Sequence, residues 1–297
     1  MSAKPYHDRD GSIWMDGKMV PWREANVHIL THSLHYAGAV FEGERVYDGQ
    51  VFKLEEHTQR LIDSAKIMGY DLPYSVKELM KATNDVVAAD KIVDGYVRPL
   101  AWRGSEMMGV AAQKNTIHVA IATWEWPSYF DPEAKSKGIK LTMSRWARPD
   151  PKTAPVQSKT ASLYAICTLG KHEAEQNGFH DALMLDWRGH VAEATGANFF
   201  MVKDGTLNTP TPDCFLNGIT RQTVMQLARL RQIPVVERTI MPSELAGADE
   251  IFLTGSAAEV TAVGQIDDMK FKVGPITQML ADDYAKEVRK KPLAGAA

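Results

Sequence analysis

Three Asp-Gly pairs constrain this chain more than any other feature in it. They are Asp16-Gly17 in "IWMDGKMV", Asp48-Gly49 in "RVYDGQVFKL" and Asp204-Gly205 in "FFMVKDGTLNT". Asp-Gly between strand-like runs is the dipeptide that a tight two-residue hairpin favours. The pairs therefore predict antiparallel sheet in both halves of the chain, not a purely parallel sheet. Helical patterns alternate with the hairpins. "EEHTQRLIDSAKIMG" has apolar residues at Leu61, Ala65, Ile67 and Met68 and stops at Gly69. Ser75 followed three residues later by Glu78 reads as a capping box opening a second helix. "YVRPLAWRG" and "TIHVAIATW" then read as strands. "EWPSYFDPEAKSKG" mixes Pro, Gly and charge and breaks the pattern. Beyond it come a strand at "IKLTMSRW", a helix from about Ala161 to Asn177, and strands at "DALMLDW" and "NFFMV". "NGITRQTVMQLARLRQI" follows as a loop entering a helix. Then come "VVERTI", a short helix near "PSELAG", and the strand "EIFLTG". The class is α+β in two domains: residues 1–127, a linker over 128–138, and residues 139–297, the last carrying Lys159.

Charge and cysteine content narrow the function classes. A net charge of −3 gives no reason to expect nucleic acid or an acidic membrane as partner. Two cysteines, Cys167 and Cys214, without CxxC spacing, are poor material for a disulfide framework or a zinc site. "MSAKPYHDRDG" lacks the apolar core of a signal peptide, and no apolar run is long enough to span a bilayer, so the expected setting is the cytosol. "KHEAEQNGFH" places His172 and His180 eight apart across a helix end, which fits a solvated face, and no metal is expected. His32 and His35 in "THSLHYAGAVFEG" read as loop or packing residues.

The chain has no GxSxG elbow, no GxGxxG, no phosphate loop ending in Gly-Lys-Ser/Thr and no HExxH. Four stretches suit an anionic, carbonyl-bearing cofactor instead. In "VQSKTASLYA", Lys159 stands among small and apolar neighbours. A lysine in a confined site can lose its proton and attack an aldehyde, although by itself the decapeptide fits an ordinary solvated lysine better. In "LNGITRQTV", Gly218 permits a tight turn, and the amides of Ile219 and Thr220 would open a helix and could hold phosphate. A plain helix start explains that stretch equally well. In "FLTGSAAEV", Gly255 and Ser256 end a strand with a hydroxyl and exposed amides, or simply make a turn. In "GHVAEATGANFF", Glu193 could pair with a protonated ring nitrogen, or be a turn glutamate. Tyr96 and Arg98 in "YVRPL" are two apart in a strand and share a face. A phenol and a guanidinium converging there suit a carboxylate, and a wet polar strand face is the alternative.

Taken together and in order, Arg60, Lys159, Glu193, "GITR" and "GSAAE" resemble the fold-type IV pyridoxal-phosphate enzymes, most closely the branched-chain amino-acid aminotransferases. "HYAGAVFEGERVY", "HTQRL", "YVRPL", "MGV" and "NGITR" carry the resemblance over most of the chain. It implies a two-domain fold of antiparallel sheets with flanking helices, and pyridoxal 5'-phosphate held by Lys159. It further implies Glu193 at the pyridine nitrogen and Tyr164 at the ring's phenolate oxygen. Arg60, Gly218, Ile219, Thr220 and Ser256 would hold the phosphate. Tyr96 and the backbone at Ser256 and Ala257 would receive the substrate carboxylate. Arg98, near Tyr36, would bind the side-chain carboxylate of glutamate. Phe41, Tyr36 and Tyr129 would shape an apolar pocket. Met108 and Val110, in the loop Met107 to Val110, would come from a neighbouring subunit, making a homodimer, or a larger assembly of dimers, the working unit.

Some positions depart from the usual family pattern. Thr160-Ala161-Ser162-Leu163 replaces a glycine pair and an asparagine after the lysine, "ATGAN" replaces "GSGEN", and Ser256 stands where threonine is common. These changes bear on pocket shape and substrate preference. The expected activity is transfer of the amino group of leucine, isoleucine or valine to 2-oxoglutarate. The rivals are a D-amino-acid or (R)-amine transaminase or an aminodeoxychorismate lyase of the same fold. A cofactor-free Schiff-base aldolase and a non-catalytic binding protein are more distant.

Overall fold

The computed structural model describes residues 4–126 and 137–290. The chain forms two compact units, and among the described residues the first comprises 4–126 with 157–163 and the second 137–156 with 164–290. Lys159 thus belongs to the first unit, whereas the sequence places it in the C-terminal domain. The expected linker falls mostly outside the described residues.

The first unit contains strands β1 (Ser12–Met15), β2 (Lys18–Pro21), β3 (Val40–Phe41), β4 (Glu44–Tyr47), β5 (Gln50–Val51), β6 (Gly95–Arg103) and β7 (Ile117–Glu125). Its helices are α1 (His32–Tyr36), α2 (Leu54–Ile67) and α3 (Val76–Ala89). The sheet runs β2-β1-β7-β6-β4-β5, with β3 beside β6, and every pairing is antiparallel. Asp16-Gly17 and Asp48-Gly49 close the two hairpins with positive φ at both residues (49° and 87°, 50° and 77°), the type I′ geometry that matches strand twist. The capping box forms as read: Ser75 Oγ accepts the Glu78 amide, and the Glu78 carboxylate accepts the Ser75 amide. The apolar faces of α2 and α3 (Leu61, Ala65, Leu79, Ala82, Val86) pack with Val40, Val46, Val97 and Val119 of the sheet into one core.

Pro99 lies within β6, inside the sheet, where an imino acid is usually excluded. The neighbouring strand is interrupted at the same level, because Glu42 and Gly43 separate β3 from β4. Pro99 gives no N–H there, and its carbonyl accepts the Glu42 amide at 2.9 Å.

The second unit contains β8 (Ile139–Met143), β9 (Asp181–Leu185), β10 (Val191–Ala194), β11 (Asn198–Lys203), β12 (Thr206–Thr209), β13 (Val235–Glu237), β14 (Glu250–Gly255), β15 (Glu259–Ile266) and β16 (Met269–Lys270). Its helices are α4 (Tyr164–Gln176), α5 (Ile219–Leu230) and α6 (Pro275–Glu287). The sheet order is β10-β9-β8-β15-β14-β11-β12-β13, with β16 beside β15. Antiparallel pairs dominate, but β8–β9, β8–β15 and β12–β13 are parallel. Asp204-Gly205 makes the third type I′ hairpin, between β11 and β12. Ile139, Leu141, Leu183, Phe199, Ile251 and Val263 form the core of this unit. Among the described residues no helix is long and apolar enough to cross a membrane.

Candidate active site

In the first unit, segment 158–161 lies along β3. The Lys159 carbonyl accepts the Phe41 amide at 3.1 Å, and the Ala161 amide donates to the Ala39 carbonyl at 2.8 Å. Helix α2 holds the other side: the Lys159 amide donates to Ser64 Oγ, and Ser158 Oγ donates to the Ser64 carbonyl, both at 3.0 Å. Ser158 and Thr160 are fully buried, so the backbone on either side of Lys159 is fixed, while its side chain is half-buried. Lys159 Nζ sits 5.0 Å from the centre of the Phe41 ring. The small residues around the lysine are there because this strand-like segment is packed against a helix.

The same face of α2 carries His57 and Arg60. Arg60 meets Glu42 in a two-pronged ion pair, with Nε donating to Oε1 at 2.6 Å and Nη2 to Oε2 at 2.8 Å. His57 Nδ1 lies 2.6 Å from Glu42 Oε2. Burial by itself would raise the Glu42 carboxyl, but the charge of Arg60 and the His57 ring outweigh it and hold Glu42 well below the usual carboxylate range. Burial keeps His57 below its ordinary value, with Glu42 pulling the other way. A neutral imidazole facing a carboxylate must carry its proton on Nδ1, since the carboxylate can only accept.

Tyr96 and Arg98 share a face of β6, as read. Arg98 Nη2 donates to Tyr96 Oη at 3.3 Å, and its guanidinium lies 4.7 Å from the Phe41 ring centre. Tyr96 Oη lies over Gly43, where a Cβ would come within 1.9 Å of it, so this glycine is required for close approach. Tyr36 is the last residue of α1. It stacks on His32 at 4.4 Å and donates to the Met108 carbonyl at 3.1 Å, so it belongs with the Met107–Val110 loop of its own chain. Tyr129 lies outside the described residues.

In the second unit, Glu193 lies on β10, a strand residue and not a turn residue. Asn198 Nδ2 donates to its Oε2 at 3.0 Å, and Arg148 Nε stands 3.4 Å from Oε1. Burial is the largest influence and works against the charge on Arg148, but Glu193 together with Cys167, Tyr164 and Cys214 outweighs it and holds Arg148 above its ordinary value. Asn198 also accepts the Gly218 amide on Oδ1 at 3.2 Å and donates to the Leu216 carbonyl at 3.0 Å. One side chain therefore joins Glu193 to the opening of α5, where Gly218 is the N-cap. The amides of Ile219 and Thr220 have no acceptor within the helix, and the helix dipole adds positive potential there. Ser256 and Ala257 sit in the turn between β14 and β15. The ideal Cβ position of the preceding Gly255 is 3.3 Å from the Gly196 carbonyl oxygen, which brings this turn beside the β10–β11 turn. Tyr164 opens α4, within the electrostatic reach of Arg148.

Sequence reasoning missed Glu42, His57, Arg148 and Asn198. Glu42 lay inside "FEGER" and Asn198 inside "ATGAN", but only the folded partners distinguish them from other polar residues. Burial pushes the Cys167 thiol up to about 11. Asp186, Asp213 and Cys214 lie close together, and Arg188 already donates to both carboxylates. The first unit thus holds an amine and an arginine on adjoining backbone segments, and the second, by itself, holds a helix opening, a hydroxyl-bearing turn and a carboxylate beside a buried cation. The amine of the first unit has the chemistry to take an aldehyde, and the helix opening and carboxylate of the second have the chemistry to take a phosphate and a basic ring nitrogen.

Residues 39–266 match the family described as amino-transferase class IV, and the chain belongs to that family. It is 42% identical to the branched-chain-amino-acid aminotransferase of Pseudomonas aeruginosa over 296 residues, 97% of this chain and 96% of that protein. It is 44% identical over 281 residues to a probable branched-chain-amino-acid aminotransferase of Rickettsia bellii, covering 93% and 96%. Among solved structures, the branched-chain amino acid aminotransferase of Escherichia coli superposes with a TM-score of 0.92 at 36% identity, covering 97% of this chain and 98% of that one. The branched-chain amino acid aminotransferase of Thermobaculum terrenum, in its PLP form, gives 0.86 at 32% identity, covering 94% of each chain.

Proposed function

We propose that the protein transfers the amino group of L-leucine, L-isoleucine or L-valine to 2-oxoglutarate, with pyridoxal 5'-phosphate as cofactor. The observation that carries the reading is 42% identity to a branched-chain-amino-acid aminotransferase across 97% of the chain. When bound, the cofactor's conjugated ring takes up the electron pair released at the substrate α-carbon.

The residues are assigned the following work. Lys159 Nζ would hold the cofactor aldehyde and would move the substrate α-proton. Its fixed backbone supports this role, because general-base catalysis needs proximity before it needs a matched pKa. Glu193 holds a proton at the ring nitrogen. Asn198 and Arg148 beside it orient its carboxylate. Tyr164 donates to the ring oxygen. Arg60, Gly218, Ile219, Thr220 and Ser256 bind phosphate. Tyr96, Arg98 and the Ser256-Ala257 backbone bind carboxylates, with Phe41 and Tyr129 as apolar walls.

Tyr36, Met108 and Val110 are assigned to a neighbouring copy's pocket. Ile29 (74% exposed), Leu34 (59%) and Val110 (84%) are large apolar side chains left exposed near them in sequence, which supports a homodimer or an assembly of dimers. Two free cysteines suit a reducing cytoplasm.

The test is a substrate panel with 2-oxoglutarate as acceptor. Turnover of L-leucine well above that of D-alanine and an (R)-arylamine is expected. Preference for D-alanine or the amine would move the protein to another activity of the same fold, and a colourless protein inactive with all three would remove the reading.

A further inference from the structure

The strongest unassigned feature is the buried group behind Arg60. Glu42 is fully buried, and its carboxylate accepts three strong bonds, two from Arg60 and one from His57. We propose that Glu42 and His57 are positioning residues for Arg60, locking its guanidinium in the orientation that receives the cofactor phosphate. The inference rests on the cofactor reading above.

Three physical points lead to it. First, the fork uses the Nε–Nη2 edge of the guanidinium, and that planar match fixes both position and tilt. Second, Arg60 cannot swing away cheaply. Its departure would leave a carboxylate with no exposed surface facing a neutral imidazole and one long amide bond from Gly43, and an uncompensated buried charge is costly. Third, the side chain of Arg60 keeps 20% of its surface exposed while Glu42 keeps none, so the pair presents the arginine outward. Glu44, at the start of β4 two residues beyond Glu42, is a second fully buried acid, held neutral by burial and by the charge of Glu42, so it does not compete for Arg60 as an anion. The Lys159 charge adds to the influences that keep His57 neutral. The Glu42–Arg60 pair carries no net charge, so its grip on phosphate comes from direction. An arginine fixed in advance gives up little rotamer freedom when the anion arrives.

The experiment compares pyridoxal 5'-phosphate with pyridoxal, which has the aldehyde and ring but no phosphate. Each is titrated into apoprotein by visible absorbance. For Glu42→Gln, the cofactor should bind about tenfold more weakly, roughly 1.4 kcal/mol, while pyridoxal binding stays within twofold of wild type. His57→Leu should shift the same ratio in the same direction, and His57→Asn, which keeps a donor at the Nδ1 position, should restore most of it. This pair carries the test if Glu42→Gln does not fold. Equal weakening of both ligands, or no change in either, would overturn the proposal by making the cluster merely structural. Wild-type protein that takes up neither ligand would instead defeat the cofactor reading, and the proposal with it.

Discussion

Glu44 gives a prediction that can be worked through from the structure. It occupies the same face of β4 as Val46, and both side chains are fully buried. Among the described residues neither Glu44 oxygen has a hydrogen-bond partner. Burial, reinforced by the nearby Glu42 charge, raises its carboxyl well above the usual value. A neutral but unsatisfied polar group in a core costs about 1–3 kcal/mol. Replacing it by leucine, similar in size, should recover that amount. The pH dependence is sharper. In the unfolded chain the side chain ionises above about pH 4.3, while in the folded chain it keeps its proton, so the native state binds more protons. Its contribution is therefore fully present below that pH and is lost as pH rises, at up to about 1.4 kcal/mol per unit. Leucine has no such loss. Between pH 5.5 and 7.5 the advantage of Glu44→Leu over wild type should grow by up to about 2.7 kcal/mol. At about 2 °C per kcal/mol for a chain this long, that is roughly 5 °C in Tm. Matched thermal scans of both proteins at the two pH values measure it. A gap that stays constant with pH, or a variant less stable than wild type at pH 7.5, would refute the reasoning.

Three further outcomes follow. Gly218→Ala would push a methyl group to 2.1 Å from Asn198 Oδ1, breaking the link between Glu193 and α5. Cofactor affinity should fall, and stability by about 1–3 kcal/mol from the unsatisfied groups, both read by titration and denaturant melts. Ser75→Ala should cost about 1 kcal/mol through its lost helix cap and leave kcat and KM unchanged, which separates folding from function. Lys159→Ala should abolish turnover of L-leucine, and near-normal activity would refute its assignment as the base.

The hairpins were legible because Asp-Gly between β-runs has one cheap geometry, and each of the three adopts it. The capping box at Ser75 and the α5 opening at Gly218 were legible for the same local reason. β15 and α6 were not recognised from sequence, since "EVTAVGQI" follows small residues that obscured its start, and α6 opens on Gly-Pro without a polar cap. For the candidate site, Lys159, Glu193 and Arg60 stood out only in combination and by resemblance. Glu42, His57 and Asn198 could not be found that way. Their significance comes from partners 15, 18 and 20 residues away, at His57 from Glu42, Arg60 from Glu42 and Gly218 from Asn198. Periodicity and propensity report neighbours along the chain, and a buried ion pair joins elements they do not relate.

The central claim is that Lys159 holds the cofactor. Reduction of the purified, cofactor-saturated protein with borohydride, followed by peptide mass mapping, tests it most directly. The account predicts a phosphopyridoxyl group on the peptide containing Lys159 and loss of the visible absorbance. The same group found on a different lysine, or a saturated protein that acquires none, would contradict it.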